Sequence, residues 1–132
     1  MLQKSEMVKG GLSLSARRRA VESLYTGVCT VVEYRNVRDE ATGITSQQEV
    51  KVLENQPCRL SYELNYPVDQ GENTGQISQR VKLFIAPEVN VKNGSKVIVT
   101  QNGNRVEYAF SGEGAAYDSH REIRLSPFKG WA

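Results

Sequence analysis

Two asparagine–glycine pairs, Asn93-Gly94 and Asn102-Gly103, divide the stretch 79–110 into three apolar, β-branched runs at residues 81–85, 97–100 and 106–110. Asn and Gly tolerate the positive φ that a tight reversal needs, so each pair marks a turn. Within the runs, Val81, Leu83 and Ile85 alternate with Arg80, Lys82 and Phe84, and Val106, Tyr108 and Phe110 alternate with Glu107 and Ala109. A period of two between tight turns predicts antiparallel strands with one buried face. The reading is a three-stranded meander that serves as scaffold, and the rest of the chain must close around it.

A chain of 132 residues fits one domain large enough to bury a core without a disulfide or metal staple. Seventeen basic residues against 15 acidic ones give a net charge of +2, too balanced for a dedicated nucleic-acid binder. Cys29 and Cys58 fall on predicted strands without CxxC spacing, which reads as two reduced, buried thiols. No apolar run approaches the ~20 residues that span a bilayer, and the N-terminus lacks the apolar core of a signal peptide. The expectation is a cytoplasmic protein with no membrane contact.

Along the chain, residues 1–13 read as a flexible arm, and 15–24 as one or two helical turns after an N-cap at Ser13 or Ser15. Arg17, Arg18 and Arg19 form the most basic point, a solvated helix face or a contact for an acidic partner or phosphate backbone. Residues 25–34 make the first strand, 36–43 a polar turn, and 44–53 a weaker strand that stops at Glu54-Asn55-Gln56-Pro57. Residues 58–62 begin another strand, with Pro57 at its entry. Residues 63–78 then break both periods with Pro67, Gly71 and Gly75; so long a loop is usually functional. Residues 111–119 form a Gly-rich connection, 120–125 alternate again, and Phe128 and Trp131 form an aromatic tail expected to pack on the domain. Six to seven short strands and one short helix predict an all-β domain, a small antiparallel barrel or sandwich, over 25–132. Residues 1–24 are the arm and helix outside it.

Catalytic chemistry is hard to assemble from these residues. His120 is the single histidine, without a second ligand at metal spacing. Asp118, Ser119 and His120 are adjacent, and neighbours on a strand point to opposite faces, which argues against a triad. The glycines of 93–96 and 111–114 match no phosphate-binding motif. The prediction is no enzyme, no catalytic residue, no metal and no cofactor. A competing class is an OB- or SH3-like module that binds nucleic acid or peptide. Tyr34, Tyr62, Phe84 and Tyr108 would then stack bases, although they occupy core-like positions.

In order, Pro57-Cys58-Arg59-Leu60-Ser61-Tyr62, then VKLFIAP at 81–87, GSKVIVTQNG at 94–103, SGEGAAYDSHREIRL at 111–125 and the closing FKGWA resemble one family. These are the head-tail joining, or head-closure, proteins of long-tailed bacteriophages and of prophages of Gram-positive bacteria. The resemblance covers about residues 25–132.

The near-neutral charge and exposed loops predict a monomer in isolation, and the resemblance implies a small β-barrel with a long inter-strand loop. Copies of it form a ring between the portal with its adaptor and the tail, retaining packaged DNA. It implies residence in the host cytoplasm during assembly and then in the virion neck, with only passive contact to DNA. By position, the loop at 63–78 would line the channel or meet a partner through Glu63, Leu64, Asn65, Tyr66, Asp69, Glu72 and Asn73. Arg17, Arg18 and Arg19 are the candidate basic contact, and Phe128 and Trp131 the candidate packing or docking residues of the tail. Another minor virion or tail completion protein is the near alternative.

Overall fold

The computed structural model describes residues 13–65 and 78–131. One helix, α1 (Leu14–Glu22), precedes six strands: β1 (Gly27–Arg38), β2 (Thr45–Asn65), β3 (Ser78–Ile85), β4 (Lys96–Gln101), β5 (Asn104–Ala116) and β6 (Arg121–Pro127). All neighbours are antiparallel, and the sheet closes in the order β1-β2-β3-β6-β5-β4. The predicted all-β barrel with a short N-terminal helix is the observed fold.

The predicted alternation holds at Leu83, Ile85 and Tyr108, which are buried, but not at Val106, which is exposed. Leu83, Ile85, Val97 and Val99 are fully buried, with Cys29, Val31, Cys58, Leu60, Tyr108, Ile123 and Leu125 around them. Each large aliphatic side chain so buried contributes about 1.5–3 kcal/mol, so this interior dominates stability. Cys29 and Cys58 are free and buried within it. The hydrogen bond from Cys29, followed by burial, pushes the Cys58 thiol far above its ordinary value.

Four expectations about connectivity are corrected. The stretch 79–110 is not a meander: β3 pairs with β2 and β6, whereas β4 pairs with β5 and β1. Asn102 (φ 53°) and Gly103 (φ 79°) do form the two-residue β4–β5 hairpin. The Asn93-Gly94 turn instead ends a ten-residue connection that packs Val89 and Val91 on the core before entering β4. Second, residues 54–57 do not end a strand. β2 continues through them, with two extra residues taken up as bulges opposite residues 29–32 and Asn55 at φ 54°. Third, 111–116 belongs to β5, where residues 111–113 face Arg124 alone across a wide bulge. Fourth, the loop assigned to 63–78 is shorter, because Asn65 still pairs with Ser78.

Two glycines permit this closure. A Cβ on Gly114 would clash with the backbone carbonyl oxygen of Glu122, so only glycine lets β5 rejoin β6 after the bulge. A Cβ on Gly27 would meet the Gln101 side chain at 3.0 Å. That side chain crosses over Gly27 to Leu60, whose N–H donates to Oε1 at 2.8 Å and whose carbonyl accepts from Nε2 at 3.3 Å. Gln101 thus stands in for a strand where β2 has run past the start of β1.

Helix α1 begins at Ser13, whose hydroxyl accepts the Ala16 N–H at 3.2 Å. It has no buried residue, and ion pairs tie it to the barrel. Arg17 meets Asp118 at 2.9 Å in the β5–β6 turn, and Arg18 meets Glu88 at 2.6 Å in the β3–β4 connection.

Candidate functional site

Three groups of side chains concentrate the residues singled out from sequence. The first lies where β2 and β3 leave the barrel. Inner-face positions along β2 run Cys58, Leu60, Tyr62, Leu64, and exposure rises along them to 50% at Tyr62 and 55% at Leu64. The Tyr108 phenol is pushed up to about 12, chiefly by burial and then by the neighbouring Tyr62 phenol. A cleft of about 730 Å³ opens beside it, lined by Val81, Val106, Tyr108, Leu125 and Pro127 with Arg80 and Arg124 at its margin. Glu63 is not a free carboxylate: Lys82 bridges it at 3.2 Å to Glu122 at 3.5 Å. Asn65 ends β2, and Tyr66, Asp69, Glu72 and Asn73 lie outside the described residues.

Around Glu122 the sequence reading missed a contact. Ser119 and His120 sit in the turn before β6, not on a strand, so their side chains are free to meet. Ser119 Oγ lies 3.0 Å from His120 Nδ1, and His120 Nε2 lies 2.9 Å from Glu122 Oε2. Tyr117 stacks on the imidazole at 4.9 Å, and Phe84 tilts against it at 5.6 Å. The chain of hydrogen bonds fastens the β5–β6 turn. Asp118, the third member of the adjacent trio, pairs with Arg17 instead.

The second group is the arginine run. Arg17 and Arg18 are held by carboxylates, Arg18 also by Glu22 at 2.9 Å, while Arg19 is exposed. The Glu88 bond, then that from Glu22, raises the Arg18 pKa, and Arg18 holds the Glu88 carboxyl below its ordinary value. Much of the run's charge is thereby spent within the molecule.

The third group is the C-terminal tail, which lies on the projecting part of the β1–β2 hairpin. Trp131 stacks on Tyr34 with centroids 4.8 Å apart and planes 5° from parallel, and it meets Phe128 edge-on at 5.0 Å. Its indole N–H donates to Glu49 Oε2 at 2.9 Å. Lys96 Nζ lies 2.7 Å from the same carboxylate, 4.8 Å from the Phe128 ring centre and 5.9 Å from that of Trp131. The Lys96 bond, then that from Trp131, holds the Glu49 carboxyl below its ordinary value. Phe128 and Trp131 thus lie against Tyr34, Glu49 and Lys96. Nothing in the sequence near residues 49 or 96 announces this clasp.

The aromatics proposed for base stacking do not share a face. Tyr108 is buried and Phe84 lies half-buried under His120. Tyr34 and Tyr62, placed in the core from sequence, are 40% and 50% exposed on different parts of the fold. Among the described residues no group of three or more His, Cys, Asp or Glu is placed to hold a metal.

No model of a known protein family matches the chain, and no curated protein matches it. Among solved structures it is similar to the phage-like element PBSX protein xkdH from Bacillus subtilis. The two are 10% identical with a TM-score of 0.45 over 76% of this chain and 91% of that one.

Proposed function

We propose that this chain is a structural protein of a bacteriophage or prophage virion neck, a ring-forming piece that joins the portal and adaptor to the tail and closes the filled head. The observation that carries this reading is a closed barrel from which two hairpins extend. The β1–β2 hairpin continues past Lys96, where β4 begins, and the β2–β3 hairpin passes Leu125, where β6 stops pairing with β3. A connector needs a rigid body and projecting contacts to a neighbour, a ring above and a ring below, and no catalytic centre. The ordered resemblance of residues 25–132 to head-closure proteins supports the same role. In it the chain is made in the host cytoplasm, stays monomeric until the portal vertex templates the ring, and touches DNA only passively. The β2–β3 hairpin would face the channel or a partner.

The test is in particles. Virions assembled with a chain lacking residues 66–77 are expected to lose DNA or fail to join tails, and normal retention and joining would remove the channel role. A competing nucleic-acid module is tested by DNA titration at two salt concentrations. Micromolar binding with a steep salt slope would favour it, and negligible binding favours assembly.

A further inference from the structure

Beyond the Val32–Lys96 pair, β1 leaves β4; before Cys58, β2 has not yet met β3. Over this length each strand of the hairpin has the other as its neighbour and one edge without a strand among the described residues. On β1 that edge is 33–38, and on β2 it is 45–57. Unpaired edges are templates for another strand, and proteins commonly blunt them with proline or bulges. The β1 edge has neither. A cleft of about 340 Å³ runs beside it, between Glu33, Tyr34 and Arg35 on one wall and the 92–95 turn on the other, with Trp131 alongside. Ser95 lines that cleft, is 2% exposed, and its hydroxyl has no hydrogen-bond partner among the described residues.

We propose that this edge and cleft receive a strand from a second copy of the chain, namely the 45–50 edge of its β2, ahead of the bulges at residues 51–56. Main-chain ladder bonds would supply affinity, and the Ser95 hydroxyl would gain a partner. Charge selects which edge enters. The β1 edge carries Arg35 and Arg38 against Glu33, and the β2 edge at 45–50 carries Glu49. A β1 edge meeting its own copy opposes like charges, whereas a β1 edge meeting β2 opposes unlike ones. Symmetry agrees. Copies related by rotation about one axis parallel to the strands keep every β1 pointing the same way, and β2 runs antiparallel to β1 in each. The β1 of one copy thus meets the β2 of the next antiparallel, and each copy offers one edge of each kind. Such a head-to-tail contact closes into a ring when its rotation divides the circle. The bulges at residues 51–56 mark the lower limit of the ladder. The inference rests on the proposed function only for its choice of occupant, another copy rather than an unrelated strand.

The test uses the full chain carrying Arg35→Cys in one preparation and Gln48→Cys in another. Residues 35 and 48 face each other within one copy, so the variants are kept separate and mixed at about millimolar concentration with a short bismaleimide. The expected result is a 35–48 crosslink in the mixture several-fold faster than self-crosslinking of either variant. It should fall several-fold when Arg38→Glu is placed in the partner that presents β1. Faster self-crosslinking through residue 35, no crosslinking at all, or indifference to the charge reversal would overturn the proposal. Tail joining in particles is read independently, so a chain that joins tails without this crosslink loses the edge and keeps the neck role.

Discussion

The same two strands, β1 and β2, live in two regimes. Up to Val32, β1 has a neighbour on each side, and its inward side chains Cys29 and Val31 are 1% exposed. From Glu33 onward it pairs with β2 alone; apart from half-buried Glu33 and Val37 its residues are exposed, and the ribbon depends on the aromatic and ionic clasp of Tyr34, Trp131, Glu49 and Lys96. Backbone pairing is similar in both. What differs is apolar burial, about 25 cal/mol per Å², against a clasp of ionic and aromatic contacts made by the buried Lys96 with half-exposed partners. The barrel should therefore open only globally, and the ribbon locally, at lower cost.

The largest expected effects break the barrel. Leu83→Ala removes a fully buried side chain from its centre and should cost about 2–5 kcal/mol in urea unfolding, with the midpoint falling and the slope unchanged. Cys29 and Cys58 report the same event. Their buried thiols should stay unreactive toward a thiol reagent in the native protein and react at the rate of global opening, faster in Leu83→Ala. Gly114→Ala comes next, at about 1–3 kcal/mol, because its methyl meets the Glu122 backbone and cannot be relieved by a side-chain rotation. A well-tolerated Gly114→Ala would mean that β5 and β6 do not close as described.

Smaller, and sharper as a comparison, is Gln101→Ala. It strips the N–H and C=O of Leu60 of their amide partner at the seam between β4 and β2 and should cost about 1–2 kcal/mol. Hydrogen exchange at Leu60 should rise toward ribbon-like rates while Leu83 and Ile85 stay protected. No change at Leu60 would show that the seam is held by something other than this side chain.

Legibility follows the same division. Alternation at 81–85 located the buried face at Leu83 and Ile85, and Asn102-Gly103 gave the β4–β5 hairpin, because burial parity and turn chemistry are local. Strand partners are not local. An Asn-Gly pair at 93–94 announces a reversal without saying that β3 turns away from β4. Pro57 and Asn55 look like a strand end when they belong to a bulged strand, since a bulge and a break share the same residues. The arginine run was visible as charge, but its partners Glu88 and Asp118 lie about 70 and 100 positions away. Phe128 and Trp131 were legible as a packing tail; Glu49 and Lys96, which hold that tail, are unremarkable charged residues until the fold brings them together.

Trp131→Ala should leave global stability within about 1.5 kcal/mol, the usual scale of an aromatic pair, yet raise exchange across residues 33–50. The pH dependence of the ribbon gives the finest test. Glu49 has its folded pKa lowered from 4.5, first by Lys96 and then by Trp131. A depressed carboxylate contributes stability that is fully present above its unfolded value and is lost as pH falls through the folded one. Exchange at 33–50 should thus be steady at neutral pH, after correction for the intrinsic rate, and accelerate once the pH drops below about 4.5, while Leu83 and Ile85 hold. Glu49→Gln keeps an acceptor for the indole N–H but carries no charge, so it should be looser at neutral pH and lack the acid-dependent step. If acid loosened the barrel and the ribbon together, with Glu49→Gln unchanged, the clasp would not be what separates them. The ribbon would then be as much a part of the cooperative unit as the strands it grows from.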